Sequence, residues 1–139
     1  MKNLNSLFIL LFCSISFGQF NYKDEFPVNF KITSVTLGEE ANIVNVSGKT
    51  LDSKWKVMMT WTFTNLLETK GSGEYTAIAW AQNGEKFLST TVRGIWKRNK
   101  EFFNVKHFEN GTDGNQLLTT GTFDFVNETY NCIVRVIED

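Results

Sequence analysis

The stretch Lys54–Thr64 reads KWKVMMTWTFT. Every second residue from Trp55 to Phe63 is apolar, and the residues between them are Lys, Met or Thr. An alternation with a period of two places successive side chains on opposite faces of a β-strand. We therefore expect one face of this strand to be buried and the other to meet solvent.

Segments of similar length recur along the chain and are separated by short polar turns. No segment has the period of a helix, and the one proline, Pro27, precedes the segments. The pattern predicts eight strands, at Val28–Leu37, Ile43–Gly48, Lys54–Thr64, Gly73–Gln82, Lys86–Lys97, Glu101–Glu109, Gln116–Val126 and Thr129–Ile137. Consecutive strands with short loops predict one all-β domain over residues 19–139, an antiparallel up-and-down barrel of about eight strands. A two-sheet β-sandwich is the alternative.

The turns predict how the strands pair. Asn83-Gly84 is a type I′ hairpin signal, which would place Ala79 opposite Leu88. A two-residue turn at 99–100 would place His107 opposite Val92. A three-residue loop at 98–100 is the other option, but it would turn a charged strand residue inwards.

A third hairpin is predicted near the end of the chain. A two-residue turn at Asn127-Glu128 would place Phe123 opposite Cys132 and Thr119 opposite Val136. In this register the apolar residues of both strands share one face. The opposite face carries polar side chains.

The chain begins with features typical of an export signal. Lys2 is followed by an apolar run, Leu7–Phe17, that is too short to span a bilayer. Ser16 and Gly18 place small residues before a cut at Gln19. We therefore predict that residues 1–18 are a cleavable signal peptide and that the protein is secreted or periplasmic.

The two cysteines bear on the same prediction. Lipidation at Cys13 is the rival to cleavage, but Phe12 stands where a lipidated cysteine needs a small residue. Removal of the signal leaves Cys132 alone, so the mature domain is expected to have no internal disulfide.

Charge gives little indication of a partner. The chain has 14 basic and 15 acidic residues, and its formal net charge is −1. A near-neutral chain lacks the basic surface typical of proteins that bind nucleic acid, and no segment after the signal suggests a membrane span. The sequence leaves the oligomeric state open.

The predicted inward face mixes bulky rings with a row of alanines. The alanines could accommodate tryptophans across a filled core, or they could leave space for a small apolar ligand. For the second case we select as candidate ligand-binding residues Trp61, Tyr75, Ala79, Trp96, His107 and Tyr130.

No residue is assigned a catalytic role from the sequence. His107 is the only histidine, and Glu109 shares its face, so a general base is conceivable. One histidine and one cysteine do not make a zinc site. The loop at 110–115 is similar to a fragment of a calcium loop but carries one carboxylate, at Asp113. We predict no metal and no cofactor.

Several glycines suggest a family resemblance. The segment 71–75, then Gly94 and the segment 121–123, is similar in spacing to the small bacterial barrels related to allene oxide cyclase, which resemble calycins. The resemblance covers about half of the chain and implies a calycin-like barrel. The glycine-rich last strand of those barrels is absent here, and no family active-site residue can be transferred.

Three functions are compatible with the sequence. The first is a secreted, non-enzymatic barrel that binds a small apolar ligand. The second is a secreted interaction domain that acts through its outer surface, where Trp80 and Phe87 are expected to be exposed. The third is an enzyme of the isomerase or cyclase type that uses polar groups inside the barrel.

The predicted export signal can be tested by mass. The intact mass of the exported protein should correspond to a chain that begins at Gln19, because the small residues at Ser16 and Gly18 suit signal cleavage. A protein that retains Met1, or that carries lipid on Cys13, would contradict the prediction.

Overall fold

The computed structural model describes residues 20–138, which form a closed antiparallel barrel. Each strand pairs with the next, and the last pairs with the first. The strands are β1 (Tyr22–Thr36), β2 (Asn42–Lys49), β3 (Lys56–Thr64), β4 (Ser72–Asn83), β5 (Lys86–Asn99), β6 (Phe102–Gly111), β7 (Gln116–Asp124) and β8 (Thr129–Ile137). The predicted eight-stranded barrel is confirmed, and the sandwich alternative is wrong.

Residues 1–18, predicted as a signal peptide, lie outside the described residues. Between residues 20 and 138, no helix is long and apolar enough to cross a bilayer.

Strand β1 starts earlier than the sequence predicts. It begins at Tyr22 instead of Val28 and includes Pro27, which pairs with Ile133 of β8. On its other side β1 pairs with β2 only from Phe30 onwards. The proline, which has no N–H to donate, thus occupies a part of the strand with one neighbour, where a missing donor costs no second ladder bond.

The predicted partner of Ala79 is wrong by two residues. Ala79 pairs with Thr90 instead of Leu88, because the strands continue to Asn83 and Lys86 before they turn. Gly84 is the first residue of the turn and has a positive φ of 59°. That geometry suits a type II′ turn, whereas the prediction assumed type I′ one residue earlier.

The strand pairing in the other two predicted hairpins is also displaced by two residues. His107 pairs with Gly94, and Phe123 pairs with Tyr130. In the last hairpin the Asp124 carboxylate accepts hydrogen bonds from the backbone N–H groups of residues 126 and 127, at 3.0 and 2.9 Å, which stabilises a longer loop. A slip of two residues leaves every side chain on its predicted face, and none of the residues predicted to point inwards is exposed.

The two ends of the barrel differ. We call the end with the loops 37–41, 65–71, 100–101 and 125–128 the closed end, and the end with the loops 50–55, 84–85 and 112–115 the open end. Aromatic rings fill the half towards the closed end around Trp61, which is fully buried. Its ring centroid lies 4.8 to 5.8 Å from those of Phe63, Tyr75, Phe123 and Tyr130.

Glycines make room for this aromatic packing. Gly94 pairs with Tyr75, and a Cβ placed on Gly94 would lie 2.5 Å from the tyrosine Oη. Gly73 pairs with Trp96, and a Cβ there would lie 2.6 Å from Nε1 of the indole. Each ring therefore lies over a glycine, and a larger residue at that position would displace the ring.

The glycine at position 94 gives the first stability test. Gly94→Ala should lower the free energy of unfolding by about 1–3 kcal/mol, because the methyl group overlaps the Tyr75 ring and the Lys106 carbonyl. Arg93→Ala is the control on the same strand, since Arg93 is exposed, and should change it by less than about 0.5 kcal/mol. Equal losses of unfolding free energy for Gly94→Ala and Arg93→Ala, measured by urea denaturation, would contradict this packing.

Candidate functional site

The open end contains a cavity of about 340 Å³. This volume is near the lower limit for small-molecule sites in proteins. Its walls are mainly apolar, and they include Val28, Val57, Met59, Ala79, Leu88 and Val134. Thr50 and Trp55, from the loop between β2 and β3, line the cavity near its mouth.

A chain of hydrogen bonds lies at the floor of the cavity. The Tyr75 Oη is 2.7 Å from the His107 Nδ1, and the His107 Nε2 is 2.9 Å from the Glu109 Oε1. The Thr119 hydroxyl donates to the same carboxylate oxygen at 2.7 Å. His107, Glu109 and Thr119 line the cavity, so this polar chain meets its apolar walls.

Gly94 makes the first of these bonds geometrically feasible. Tyr75 on β4 and His107 on β6 both pair with Gly94 on the strand between them. Because Gly94 has no side chain, the tyrosine hydroxyl reaches across β5 to the imidazole. A residue with a side chain at this position would separate the two groups.

The Glu109 carboxylate decides the direction of proton donation in this chain, because a carboxylate can only accept. Burial, reinforced by the charge of Glu109, raises the pKa of Tyr75 far above its usual range, so the phenol stays protonated. The Nε2–H of His107 donates to the Glu109 carboxylate, and in the neutral imidazole this leaves Nδ1 to accept from the Tyr75 hydroxyl. These bonds assign one tautomer of the imidazole and fix its orientation.

Tyr130 has the opposite property, a buried hydroxyl without a partner. Tyr130 is 1% exposed and lines the cavity. The Cys132 thiol lies beside its Oη, but the geometry between them is not that of a hydrogen bond, and the Oη has no other partner. Burial raises the pKa of Tyr130 well above its usual range and raises that of the neighbouring Cys132 thiol to about 12. Both groups are therefore neutral, and the phenol is an unsatisfied donor.

The predicted ligand-binding residues occupy different parts of the barrel. Ala79, His107 and Tyr130 line the cavity. Tyr75 and Trp61 lie behind its floor and contact His107, the first by its hydrogen bond and the second edge-on with ring centroids 5.3 Å apart.

Trp96 is placed away from the cavity. It packs against Phe103 near the closed end, and its Nε1 donates to the Thr64 carbonyl at 2.9 Å. Its indole N–H is thus already satisfied inside the protein. We do not include Trp96 in the candidate site.

Sequence reasoning missed two parts of the site. Thr119 was not singled out, because its contact with Glu109 depends on the pairing of β6 with β7, which no turn signal defined. The walls contributed by β1, such as Val28, were also missed. The available signal was the spacing of His107 and Glu109, two residues apart on one face.

No metal site emerges at the open end. Between residues 20 and 138, no three His, Cys, Asp or Glu side chains lie close enough together to hold a metal ion. In the loop 112–115, the carboxylate of Asp113 accepts from the Asn115 side chain and backbone N–H at 2.8 and 3.0 Å. These bonds lower the pKa of Asp113 and stabilise the turn.

Comparisons with protein-family models, with curated proteins and with solved structures give no match.

The two tyrosines give opposite predictions for stability. Tyr130→Phe should raise the free energy of unfolding by about 1 kcal/mol or more, because it removes a buried donor that has no partner. Tyr75→Phe should lower it by about 1–3 kcal/mol, because the His107 Nδ1 loses its donor. Chemical denaturation of both variants measures the difference, and equal losses would contradict the assignment.

The buried neutral groups also predict alkaline destabilisation. Tyr75, Tyr130 and Cys132 have raised pKa values in the folded protein, so the unfolded chain loses these protons first as the pH rises. Stability should therefore fall with pH above about 9, where thiols and phenols of an unfolded chain begin to ionise.

The double variant Tyr130→Phe, Cys132→Ala tests this assignment. It should reduce the slope of unfolding free energy against pH in that window, measured by urea denaturation at successive pH values. An unchanged slope would show that Tyr130 and Cys132 do not cause the alkaline destabilisation.

Proposed function

We propose that the protein binds one small, mainly apolar molecule in the cavity at the open end of the barrel. The observation that carries the proposal is the 340 Å³ cavity, with aliphatic walls and a buried His107–Glu109 pair at its floor. Apolar walls with a few convergent polar groups are typical of sites for small ligands.

Residue size explains why the cavity is at this end. On β4, Tyr75 faces the aromatic half of the interior, whereas Ala79 and Ala81 face the open half. Small residues opposite Leu88 and Met59 leave space that the surrounding chain does not fill. An eight-stranded barrel has room inside for side chains or for one small ligand.

Export and family remain part of the proposal. A secreted or periplasmic binding protein fits the signal sequence predicted at residues 1–18, which is outside the described part of the chain. The closed eight-stranded barrel is also the architecture implied by the resemblance to calycin-like barrels.

Acid–base catalysis is the second candidate function, because the polar chain orients a carboxylate towards an apolar space. His107 and Thr119 both donate to Oε1 of Glu109, which leaves Oε2 without a hydrogen bond to any described residue. A carboxylate held in this way in an apolar site can remove a proton from a bound molecule. Glu109 would be the base, and His107 and Thr119 would position it.

A chromogenic probe of proton abstraction distinguishes catalysis from binding alone. If Glu109 acts as a base, the protein should accelerate ring opening of nitrobenzisoxazole above the rate in acetate buffer, and Glu109→Gln should remove the acceleration. Glu101→Gln is the control, since Glu101 is exposed at the closed end. No acceleration by the wild type leaves the non-enzymatic binding function as the proposal.

The outer surface supports a weaker alternative. Trp80 and Phe87 are about half exposed, and their rings lie 5.7 Å apart near the β4–β5 turn. Such a pair could contact another protein. We favour the interior because it combines an enclosed cavity with convergent polar groups, whereas the Trp80–Phe87 pair lies on the open outer face.

Two alanines on one face of β4 test the proposed cavity. Ala79→Trp should fold and should displace a bound neutral dye such as N-phenylnaphthylamine, because Ala79 borders empty space. Ala77→Trp should lower the free energy of unfolding by about 1–3 kcal/mol or more, because Ala77 is buried beside Trp61 and does not line the cavity.

Dye fluorescence and urea denaturation of the two variants supply the measurements. Unfolding of Ala79→Trp together with no dye binding by the wild type would contradict the ligand-binding function. The interaction surface would then become the leading candidate.

A further inference from the structure

The charged side chains that border the cavity are all acidic. Among the described residues that line it, Glu109 and Asp113 carry carboxylates and none is Lys or Arg. Lys23 lies close to the mouth loop, but it is exposed and its ammonium group donates to the side-chain carbonyl of Asn115 at 3.1 Å. The cavity therefore presents negative charge to a ligand.

The two carboxylates follow one face of β6 from the mouth towards the floor. Glu109 and Gly111 both line the cavity, and residues two apart in a strand are separated by about 7 Å. A Cβ placed on Gly111 would lie 2.6 Å from Oδ1 of Asp113, so this carboxylate takes the inward position that the glycine leaves free. A ligand that enters through the mouth passes Asp113 before it reaches Glu109.

Glu109 is the buried charge of the two. Its side chain is 10% exposed and borders the cavity, and its Oε1 accepts both hydrogen bonds, from His107 and Thr119. The Oε2 atom makes no hydrogen bond with the described residues, and none of their Lys or Arg side chains forms an ion pair with Glu109. One carboxylate oxygen is thus left for a ligand.

The neighbouring imidazole does not cancel the charge of Glu109. With His107 neutral, Tyr75 donates to its Nδ1 and its Nε2–H donates to Glu109. A protonated ring would donate from both nitrogens and leave the buried Tyr75 hydroxyl without an acceptor. Glu109 therefore keeps a net negative charge in a poorly hydrated space, where an opposite charge is attracted strongly.

We propose that the ligand is an apolar amine, bound as its ammonium ion with its N–H groups directed at Glu109. The ammonium supplies the missing cation and a donor for Oε2, and such charge-assisted hydrogen bonds are stronger than neutral ones. The aliphatic walls accommodate the hydrocarbon part. This inference rests on the proposed binding function and specifies the ligand class for the same cavity.

Other ligand ends match this floor less well. An alcohol donates to Glu109 but brings no positive charge, a ketone has no donor, and a carboxylate is repelled. Burial of an ion pair normally removes water from both ions. Here folding has already removed most of the water from Glu109, so only the ammonium loses its hydration when it binds.

Three probes with the same alkyl chain test the inference: octylamine, octanol and octanoate. Each is titrated against the protein in competition with N-phenylnaphthylamine at neutral pH, where octylamine is protonated. Octylamine should bind roughly tenfold more tightly than octanol, the difference expected between a charge-assisted and a neutral hydrogen bond. Octanoate should bind most weakly.

Variants then attribute the preference to Glu109. Glu109→Gln keeps the acceptor for His107 and Thr119 but removes the charge, so it should reduce the octylamine-to-octanol ratio to about one or below and improve the binding of octanoate. Glu101→Gln removes the same charge from the exposed closed end and should leave the ratio unchanged. Ala79→Trp fills the cavity and should abolish octylamine binding.

The outcomes separate the two proposals. Equal affinities of the wild type for octylamine and octanol, a preference for octanoate, or octylamine binding that survives Ala79→Trp overturns the amine inference and leaves the binding function intact. Failure of the wild type to bind the dye and all three probes overturns both.

A measurement on the wild type covers the case in which Glu109→Gln does not fold. The Thr119 side chain lines the cavity and donates to Glu109, so its methyl group should show NOEs to the CH₂ group next to the nitrogen of octylamine. NOEs from this methyl group to the far end of the alkyl chain alone would overturn the inference.

Discussion

Strand β1 closes the sheet by pairing with β8 through residues 22–31 and with β2 through residues 30–36. A register shift between Ile32 and Ser34 bends the strand, and the Thr33 hydroxyl donates to the Asn45 carbonyl at 3.1 Å beside that bend. The Ile32 N–H, at the same place, donates to the Glu128 carbonyl at 2.9 Å. Closure leaves residues 22–29 of β1 with one unpaired side and creates an enclosed interior.

That interior changes in character along the barrel axis. Rings around Trp61 fill the half near the closed end, and aliphatic residues and alanines surround the space at the open end. The polar chain from Tyr75 to Thr119 lies where the two halves meet. Each of its buried groups has a partner, which makes the placement of a charge there tolerable. The neighbouring Tyr130 hydroxyl and Trp61 indole N–H are the two buried donors without one. Native proteins seldom leave such donors unpaired.

The sequence pattern predicted the fold and the buried face of each strand, but it predicted the wrong cross-strand partners. The alternation in residues 54–64 indicates which side of β3 is buried without any knowledge of its neighbours. Pairing depends on where each turn begins, and Asn83 and Asn99 proved to be strand residues instead of turn residues. The error of two residues preserved every face but concealed Gly94, which lies between Tyr75 and His107. The hydrogen bond across that glycine, and the contact of Glu109 with a threonine on β7, arise from the register and not from the local sequence.

Methyl NMR tests most directly whether ligand binding occurs inside the open end. On addition of N-phenylnaphthylamine, we predict intermolecular NOEs from the dye to the methyl groups of Ala79 and Val134, which line the cavity. The Ala77 methyl, buried outside the cavity lining, should show none. NOEs confined to Met58 and Ile78 on the outer face, or none at any methyl group, would contradict the account.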